Sequence, residues 1–415
     1  MHKRLSSFLF IGGILLLIVP DAIVFYLIMP VPTSQHSDQI AAGHFLYQTL
    51  WYARILGLLC VLPLIIRTWK RGRLISIGFT TGILAIAVVL VYLLGFRYMP
   101  ENVFKEPETL LFAPPSGNTI PLNNYVLGIV MNGEAKAYPL KFVGYHHKIQ
   151  DLVGGAPVLV TYCTMCRTAM AYDPVINGKR EKFRLVGAAF NNAVIEDETT
   201  KSWWYQSTGI AGAGPLKGTA LKTIPVEQMT LATWISEHPN TLIMQADPAF
   251  TTQYAKLRNY DINVPAANTD PSRNKSFLPN SWVIGVIAGD SSAVFLWNEL
   301  TTKKIINTVV DTQPIVIVLQ QDGFSYHAFK SSMDGVALTF TQLNDSLITD
   351  QQTNSAWSLK GECSGGQYAG KKLVSIAAYQ TYYHSWERFY GNKHKNAPYS
   401  ISNNKFLNAP SAGKH

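Results

Sequence analysis

Three long apolar stretches open the chain. Phe8 to Met29 is almost unbroken in hydrophobic residues, and Tyr47 to Ile66 and Leu74 to Phe96 repeat the pattern. At ~1.5 Å of rise per residue each is long enough, as a helix, for the ~30 Å of hydrocarbon in a bilayer. The pattern predicts a bundle of three transmembrane helices within residues 1–100. Lys3-Arg4 ahead of the first run raises the alternative of a cleaved signal peptide. The run is long for a signal core and no small-x-small cleavage site follows it, so a retained helix is expected.

From about Glu106 the texture changes to short apolar runs separated by turn signals. Tyr125 to Val130, Val158 to Tyr162, Lys182 to Val186, Trp282 to Ile287 and Ile315 to Leu319 read as strands. Asn132-Gly133, Gly154-Gly155, Asn177-Gly178, Asp322-Gly323 and Asp334-Gly335 punctuate them, and such dipeptides between apolar runs signal hairpins. Gln228 to His238 and Gln380 to Tyr390, each with a Trp, read as helices. The expected fold is therefore a three-helix membrane bundle followed by a mostly-β (α+β) extracytoplasmic region.

That region repeats itself. Val126-Leu127-Gly128-Ile129-Val130 matches Val283-Ile284-Gly285-Val286-Ile287, and Pro157-Val158-Leu159-Val160 matches Pro314-Ile315-Val316-Ile317, both at an offset of 157. Asp197 and Trp204 match Asp350 and Trp357 at 153; Gly209, Gly218, Leu221 and Trp234 match Gly361, Gly370, Leu373 and Trp386 at 152. One pattern held over so long a stretch predicts two tandem copies of a β-rich module. The expected division is residues 1–100 as membrane domain, 105–245 as first repeat, 246–281 as linker, 282–395 as second repeat and 396–415 as a flexible tail. Residues that recur in both copies, such as Trp204, Trp234 and Gly218, are framework. Cys163, Cys166, His146 and His147 fall opposite Gln320, Gly323, Lys303 and Lys304, so they are the better candidates for chemistry.

Charge refines the membrane picture. Only 15% of residues are charged, below the ~25% usual for soluble domains. The net charge of +9 divides into +6 for residues 1–100 and +3 for the rest. A basic excess gathered around apolar helices sets topology and argues against nucleic acid as a partner. Lys3, Arg4, Arg67, Lys70, Arg71 and Arg73 flank the helices on one side, while the first inter-helix loop near Val31 to Gly43 has no Lys or Arg. The positive-inside rule then predicts a cell (inner) membrane protein with a cytoplasmic N-terminus and everything after Arg97 outside, in the periplasm or its equivalent. Asp21 within the first helix and Arg54 within the second fall at similar depth, which predicts an ion pair.

The chemistry concentrates at Pro157 to Arg167, an apolar run delivered into Cys163-Thr164-Met165-Cys166. If Gly154-Gly155 closes a two-residue hairpin, His146 lies opposite Cys163, with Cβ atoms ~5 Å apart. A one-residue slip would turn His147 in instead. An imidazole there, or Arg167 beside Cys166, would favour a thiolate. Three readings stay open. The pair can act in thiol–disulfide redox with Cys163, Cys166 and His146 as the catalytic groups. It can bind a copper or zinc ion through Cys163, Cys166 and His146, with Met165 or Met170 as a further ligand, serving a metal-delivery partner. It can be a structural disulfide or inert thiol pair in a binding module. C-x-x-C-H is absent, which disfavours covalent haem. Cys363 is expected to be a lone thiol, with a resolving role as the alternative, and Cys60 a packing residue. His238, His327 and His384 have no clustered partners in sequence. Asn191-Asn192 reads as a turn.

Tyr145-His146, Asp151 to Val158, Thr161-Tyr162-Cys163-x-x-Cys166, Ser202-x-Trp204 and Gly209-x-x-x-x-Gly214-Pro215-Leu216-x-Gly218 resemble the domain-of-unknown-function family 3179. The resemblance spans about residues 105–400 and leaves out the three apolar helices. It implies no assigned activity. The usual pattern of that family reads C-P-L-C-G; Thr164 and Arg167 replace the Pro and Gly here, which weakens a metal-knuckle reading that relies on the Gly.

Overall fold

The computed structural model describes residues 2–31, 33–35, 38–257, 259–262, 277–289 and 291–391. Much of the expected linker and the expected tail at 396–415 lie outside the described residues.

Three helices are long and apolar enough to cross a membrane: α1 (His2–Ile28), α2 (Ile40–Lys70) and α3 (Leu74–Tyr92), the last running into a π-turn at Leu93–Arg97. Glycine lets α1 and α2 touch. A Cβ on Gly13 would stand 2.6 Å from the Gly57 carbonyl oxygen, and one on Gly57 2.9 Å from that of Gly13. Small residues of this kind are how helices approach closely where lipid offers no hydrophobic drive. The expected ion pair is present. Arg54 Nε donates to Asp21 Oδ2 at 3.1 Å and Nη2 to Oδ1 at 2.5 Å, with Asp21 1% exposed. The guanidinium lies between the rings of Trp51 and Phe96, 4.9 and 4.7 Å from their centroids. Gly95, in the π-turn, leaves room for it: a Cβ there would sit 2.3 Å from both charged groups.

The rest is mostly β, in two compact units. The first comprises Met1–Val226 and His238–Asp261, the second Glu227–Glu237 and the chain from Ile262. This differs from the expected division in three ways. Residues 246–261, expected as linker, complete the first unit, with Phe250 and Tyr254 in its core. The apolar helices belong to the same unit as the first β region, because α1 and α2 pack directly on its strands; Gly187 is so close to Ile28 that a Cβ would lie 2.7 Å from its carbonyl oxygen. And Glu227–Glu237 groups with the second unit, anchored there by hydrogen bonds of Thr230 and Thr233 to Asp322 and of Gln228 to Gln380.

In the first unit, Phe112–Ala113, Leu242–Met244, Glu134–Pro139 and Tyr125–Met131 form one sheet in that order. Lys148–Val153, Ala156–Cys163, Thr168–Tyr172 and Thr223–Ile224 form a second, and Phe183–Ala189, Asn192–Asp197, Trp203–Tyr205 and Ala211–Ala213 a third. The Ala156–Cys163 strand is buried on both faces. Val158, Val160 and Tyr162 join an aromatic core with Tyr138, Phe142, Tyr145 and Tyr254. Leu159, Thr161 and Cys163, pointing the other way by the strand's period of two, are equally covered. Each fully buried aliphatic side chain contributes roughly 1.5–3 kcal/mol.

The second unit also holds three main sheets: Ser291–Leu296 with Trp282–Ala288 and Ala378–Tyr382; Ile305–Val310 with Gln313–Leu319, Tyr326–Lys330 and Val374–Ser375; and Phe340–Gln342 with Leu347–Asp350, Ala356–Ser358 and Cys363–Gly365. Two expectations shift. Asp322-Gly323 closes no tight hairpin: it lies in a six-residue connection whose backbone N–H groups at Phe324 and Ser325 are bound by the Asp322 carboxylate. The expected helices at 228–238 and 380–390 begin later, at Leu231 and Tyr383, because each follows a short strand, Glu227–Thr230 and Ala378–Tyr382.

Candidate functional site

The Gly154-Gly155 turn sets the register as expected, with Val153 opposite Ala156 and Lys148 opposite Thr161. The pairing stops there. Leu140–His146 is a short helix closed by His147 in the left-handed region at φ 60°. His146 therefore never stands across a ladder from Cys163. Its Nδ1 meets the Lys105 carbonyl at 2.5 Å, its Nε2 the Tyr254 hydroxyl at 2.7 Å, and its ring packs on Tyr145 and Phe250. Burial pushes its pKa down. His147 is likewise buried, against Phe104, and burial lowers it to about 4. The structure brings Cys163 and Cys166 together and leaves both histidines elsewhere.

The two sulfurs sit on the Cys163–Thr168 turn, hydrogen-bonded to each other and 1% and 0% exposed. Cys163 Sγ also faces the Asn191 carbonyl at 3.5 Å. Cys166 Sγ is surrounded by donors: Asn192 Nδ2 at 3.1 Å and Thr168 Oγ1 at 3.2 Å. The direction of the Asn192 amide is forced. Its Oδ1 accepts from the Ser207 backbone N–H at 3.0 Å, a group that can only donate, so the NH2 must face the sulfur. That NH2 also donates to Gln206 Oε1 at 3.0 Å. Gln206 Nε2 in turn donates to the Thr168 carbonyl and to Thr161 Oγ1, at 3.1 and 2.9 Å. Asn192, Gln206, Thr161 and Thr168 are all fully buried. Burial pushes the Cys166 thiol up, but the bonds from Cys163, Thr168 and Asn192 outweigh it and bring it down to about 7. Cys163, desolvated and next to Cys166, is pushed well above the usual thiol range.

Two covers close the site. Arg167, at φ 53°, lays its guanidinium 4.2 Å from the centroid of the Tyr260 ring, and Tyr260 Oη donates to the Thr164 carbonyl at 3.0 Å. Arg167, expected to favour the thiolate by its charge, is held against this ring. On the other side, Phe190 and Asn191 form a two-residue turn with both residues left-handed, at φ 55° and 57°. Such a turn suits Asn and Gly; a Phe there is strained by about 1–2 kcal/mol. The Asn191 N–H donates to Gln35 Oε1 at 3.1 Å, so the loop between α1 and α2 holds the turn that covers Cys163.

The comparisons with known proteins bear on this geometry. A family model described as "Protein of unknown function (DUF3179)" matches residues 112–393, well over half of the chain. The chain belongs to the DUF3179 family. No curated protein and no solved structure matches it.

In this DUF3179 chain, sequence reasoning found the sulfurs and missed the groups that act on them. Asn192 was read as part of a turn, whereas the turn is Phe190-Asn191 and Asn192 opens the next strand. The signal lay in the internal offset, which falls from 157 to 153 between Phe183 and Asp197. The hairpin there has strands of seven and six residues, against three and four at Phe340–Gln342 and Leu347–Asp350. The extra length carries Asn191 and Asn192 over the sulfurs. The donor set does not fit zinc: among the described residues no His, Asp or Glu joins the two sulfurs in a three-ligand group. Cys363 packs among Val316, Val318, Phe329 and Trp357 as a core residue. His327 is not isolated, since Nε2 lies 3.1 Å from Glu237 Oε1 with Glu227 close by.

Proposed function

We propose that Cys163 and Cys166 form a dithiol–disulfide couple of a membrane-anchored protein. The observation that carries this is the forced Asn192 amide aimed at Cys166 Sγ, with the Thr168 hydroxyl beside it, in a buried polar network. Donors aimed at sulfur favour its anion, and the thiolate is the nucleophile of disulfide exchange. Cys166 as thiolate attacks one sulfur of a partner disulfide, forming a mixed disulfide and releasing the other partner sulfur, which takes up a proton. Cys163 then loses its proton and attacks Cys166 Sγ. The Cys163–Cys166 bond forms, the mixed disulfide breaks, and the partner leaves with both sulfurs reduced. Two electrons pass to the partner, and the same steps run in reverse. Because both sulfurs are covered, exchange requires the Phe190-Asn191 turn or the Arg167–Tyr260 stack to lift.

The same reading takes residues 105–245 and 282–395 as two copies of one module, of which the first carries the couple. It sets the three helices in the cell membrane, N-terminus cytoplasmic and β region outside, where thiol pairs meet oxidised partners. Support comes from the basic flanks of the helices and from matching local structure. Asp197 binds Thr200, Ser202 and Trp204 as Asp350 binds Thr353 and Trp357.

The test is to equilibrate the purified full chain in detergent with glutathione buffers of graded potential and count alkylated Cys163 and Cys166 by peptide mass. Both thiols disappearing together in one two-electron transition is expected. Thiols that stay reduced and unreactive across the whole range in the folded protein would end the proposal.

A further inference from the structure

A second cluster of chemically capable side chains lies in the second unit, away from any sulfur. Glu227 opens the strand Glu227–Thr230, Glu237 ends the helix Leu231–Glu237, and His327 lies on the strand Tyr326–Lys330. One ligand atom from each falls within 4.8 Å of the others. The imidazole is 8% exposed, and its ring stacks on Phe329, which fixes its plane. The Glu237 side chain is as covered as the imidazole, and Glu227 is largely buried as well.

Three features make this more than a His–Glu pair. Glu237 takes up the imidazole at 3.1 Å, but among the described residues no hydrogen bond reaches the Glu227 carboxylate. Two carboxylates converge beside one imidazole, and such crowding is relieved by a multivalent cation. Glu237 is also the last residue of its helix, where the carbonyl ends disfavour an anion and favour a cation. The segment between the glutamates is held rigidly. Thr230 and Thr233 each donate to Asp322 at 2.7 Å, Gln228 bonds Gln380 at 2.6 Å, and Trp234 is fully buried. A ligand set on fixed elements is what a metal site needs.

We propose that Glu227, Glu237 and His327 bind a divalent first-row cation, with Zn2+ the best match. Two carboxylates and one imidazole are an oxygen/nitrogen set that suits Zn2+ or Mn2+ and lacks the sulfur that Cu(I) prefers. Three protein ligands leave a fourth position for water or another ligand. A bound ion ties the Glu227–Glu237 segment to the Tyr326–Lys330 strand and so stabilises the second unit. The inference uses none of the residues of the thiol couple, so either can fail alone.

The experiment takes the full chain in detergent, without a polyhistidine tag, stripped with a chelator and titrated with Zn2+, with Mg2+ as control. Expected are one Zn2+ retained per chain after desalting and a raised unfolding midpoint, both unchanged in the Cys163→Ser, Cys166→Ser double variant. Glu227→Gln and His327→Gln should each lower the affinity at least tenfold and abolish the shift in midpoint. Co2+ in place of Zn2+ should give visible absorption that the Glu227→Gln variant loses. Circular dichroism of the metal-free variants establishes that they fold. Folded wild-type protein that retains no Zn2+, or folded variants that bind it as wild type does, would overturn the proposal.

Discussion

Two turns occupy matching places in the chain and do opposite things. Cys163–Thr168 joins Ala156–Cys163 to Thr168–Tyr172; residues 320–325 join Gln313–Leu319 to Tyr326–Lys330. Their surroundings agree closely. His147 and Lys304 are both left-handed, at φ 60° and 65°, and their carbonyls accept from Tyr162 and Leu319. The contents diverge. In the first turn, side-chain donors converge on a sulfur. In the second, a carboxylate collects the donors: Asp322 accepts from Thr230, Thr233, Ser325 and two backbone N–H groups. Gln320, at the place of Cys163, helps to line an open polar cleft of about 440 Å³ with Lys304, Gln342 and Asp345. On the proposed reading, one frame holds a reactive acceptor in the first unit and an inert one in the second. The difference lies in whether the acceptor can change its bonding.

That contrast can be broken experimentally. The largest effect is expected at the sulfurs. Cys166→Ser should lower the rate at which the full chain reduces a model disulfide by ~100-fold or more, since the attacking atom is gone; a rate within threefold of wild type refutes the assignment of Cys166 as nucleophile. Next, Asp322→Ala should leave that rate unchanged but destabilise the second unit by roughly 2–3 kcal/mol, because several donors lose their acceptor. Hydrogen exchange at Thr230 to Glu237 reports it. Asp322 has its pKa lowered: burial opposes this, but bonds from Ser325, Phe324 and Thr233 prevail. Its folded pKa therefore lies below the unfolded one. The stabilisation is complete above the unfolded value near 4, is lost as pH falls through the folded value, and is missing from the variant at every pH.

A smaller effect is expected at Asn192. Alkylation of Cys166 should rise with pH through a midpoint at about 7 in the wild type and level off well above it. In Asn192→Ala the midpoint should move up by about one unit, the worth of one charge-assisted hydrogen bond. An unmoved midpoint means that the amide does not hold the thiolate. The smallest change is expected for Phe190→Gly. Glycine accepts φ 55° without strain, so the turn gains up to about 1 kcal/mol while losing the ring that stacks on Tyr205 and helps hold the turn over Cys163 in place. Faster alkylation, by a few fold, with no loss of thermal stability is the expected result.

How much of this was legible follows from what sets each feature. The three apolar helices and the Asp21–Arg54 pair were, because length and depth along a helix are read by counting. The Gly154-Gly155 register was legible too, since a two-residue turn fixes every pair above it. The displacement of His146 was not read, although the chain contained the clue. Trp297–Lys303 stands at the offset of 157 from Leu140–His146 and looks helical, with Glu299 and Lys303 paired at 2.8 Å one turn apart. Leu140 to His146, with no capping side chain and a glycine inside, does not. Asn192 was hidden because two adjacent asparagines announce a turn without saying which of them turns; the left-handed pair is Phe190-Asn191. His327, Glu227 and Glu237 were hidden for a different reason: they are brought together only by long-range folding, which no local pattern records.

The first unit is not a contiguous length of chain: it takes residues up to Val226, skips eleven, and resumes at His238. A polypeptide emerging from the ribosome has both sulfurs and their amide donors in hand well before Tyr260 is made. Until then Arg167 has no ring to lie on, and the turn is open on that side. During synthesis, Cys163 and Cys166 are thus less covered than in the finished unit, and its last twenty-odd residues complete the cover.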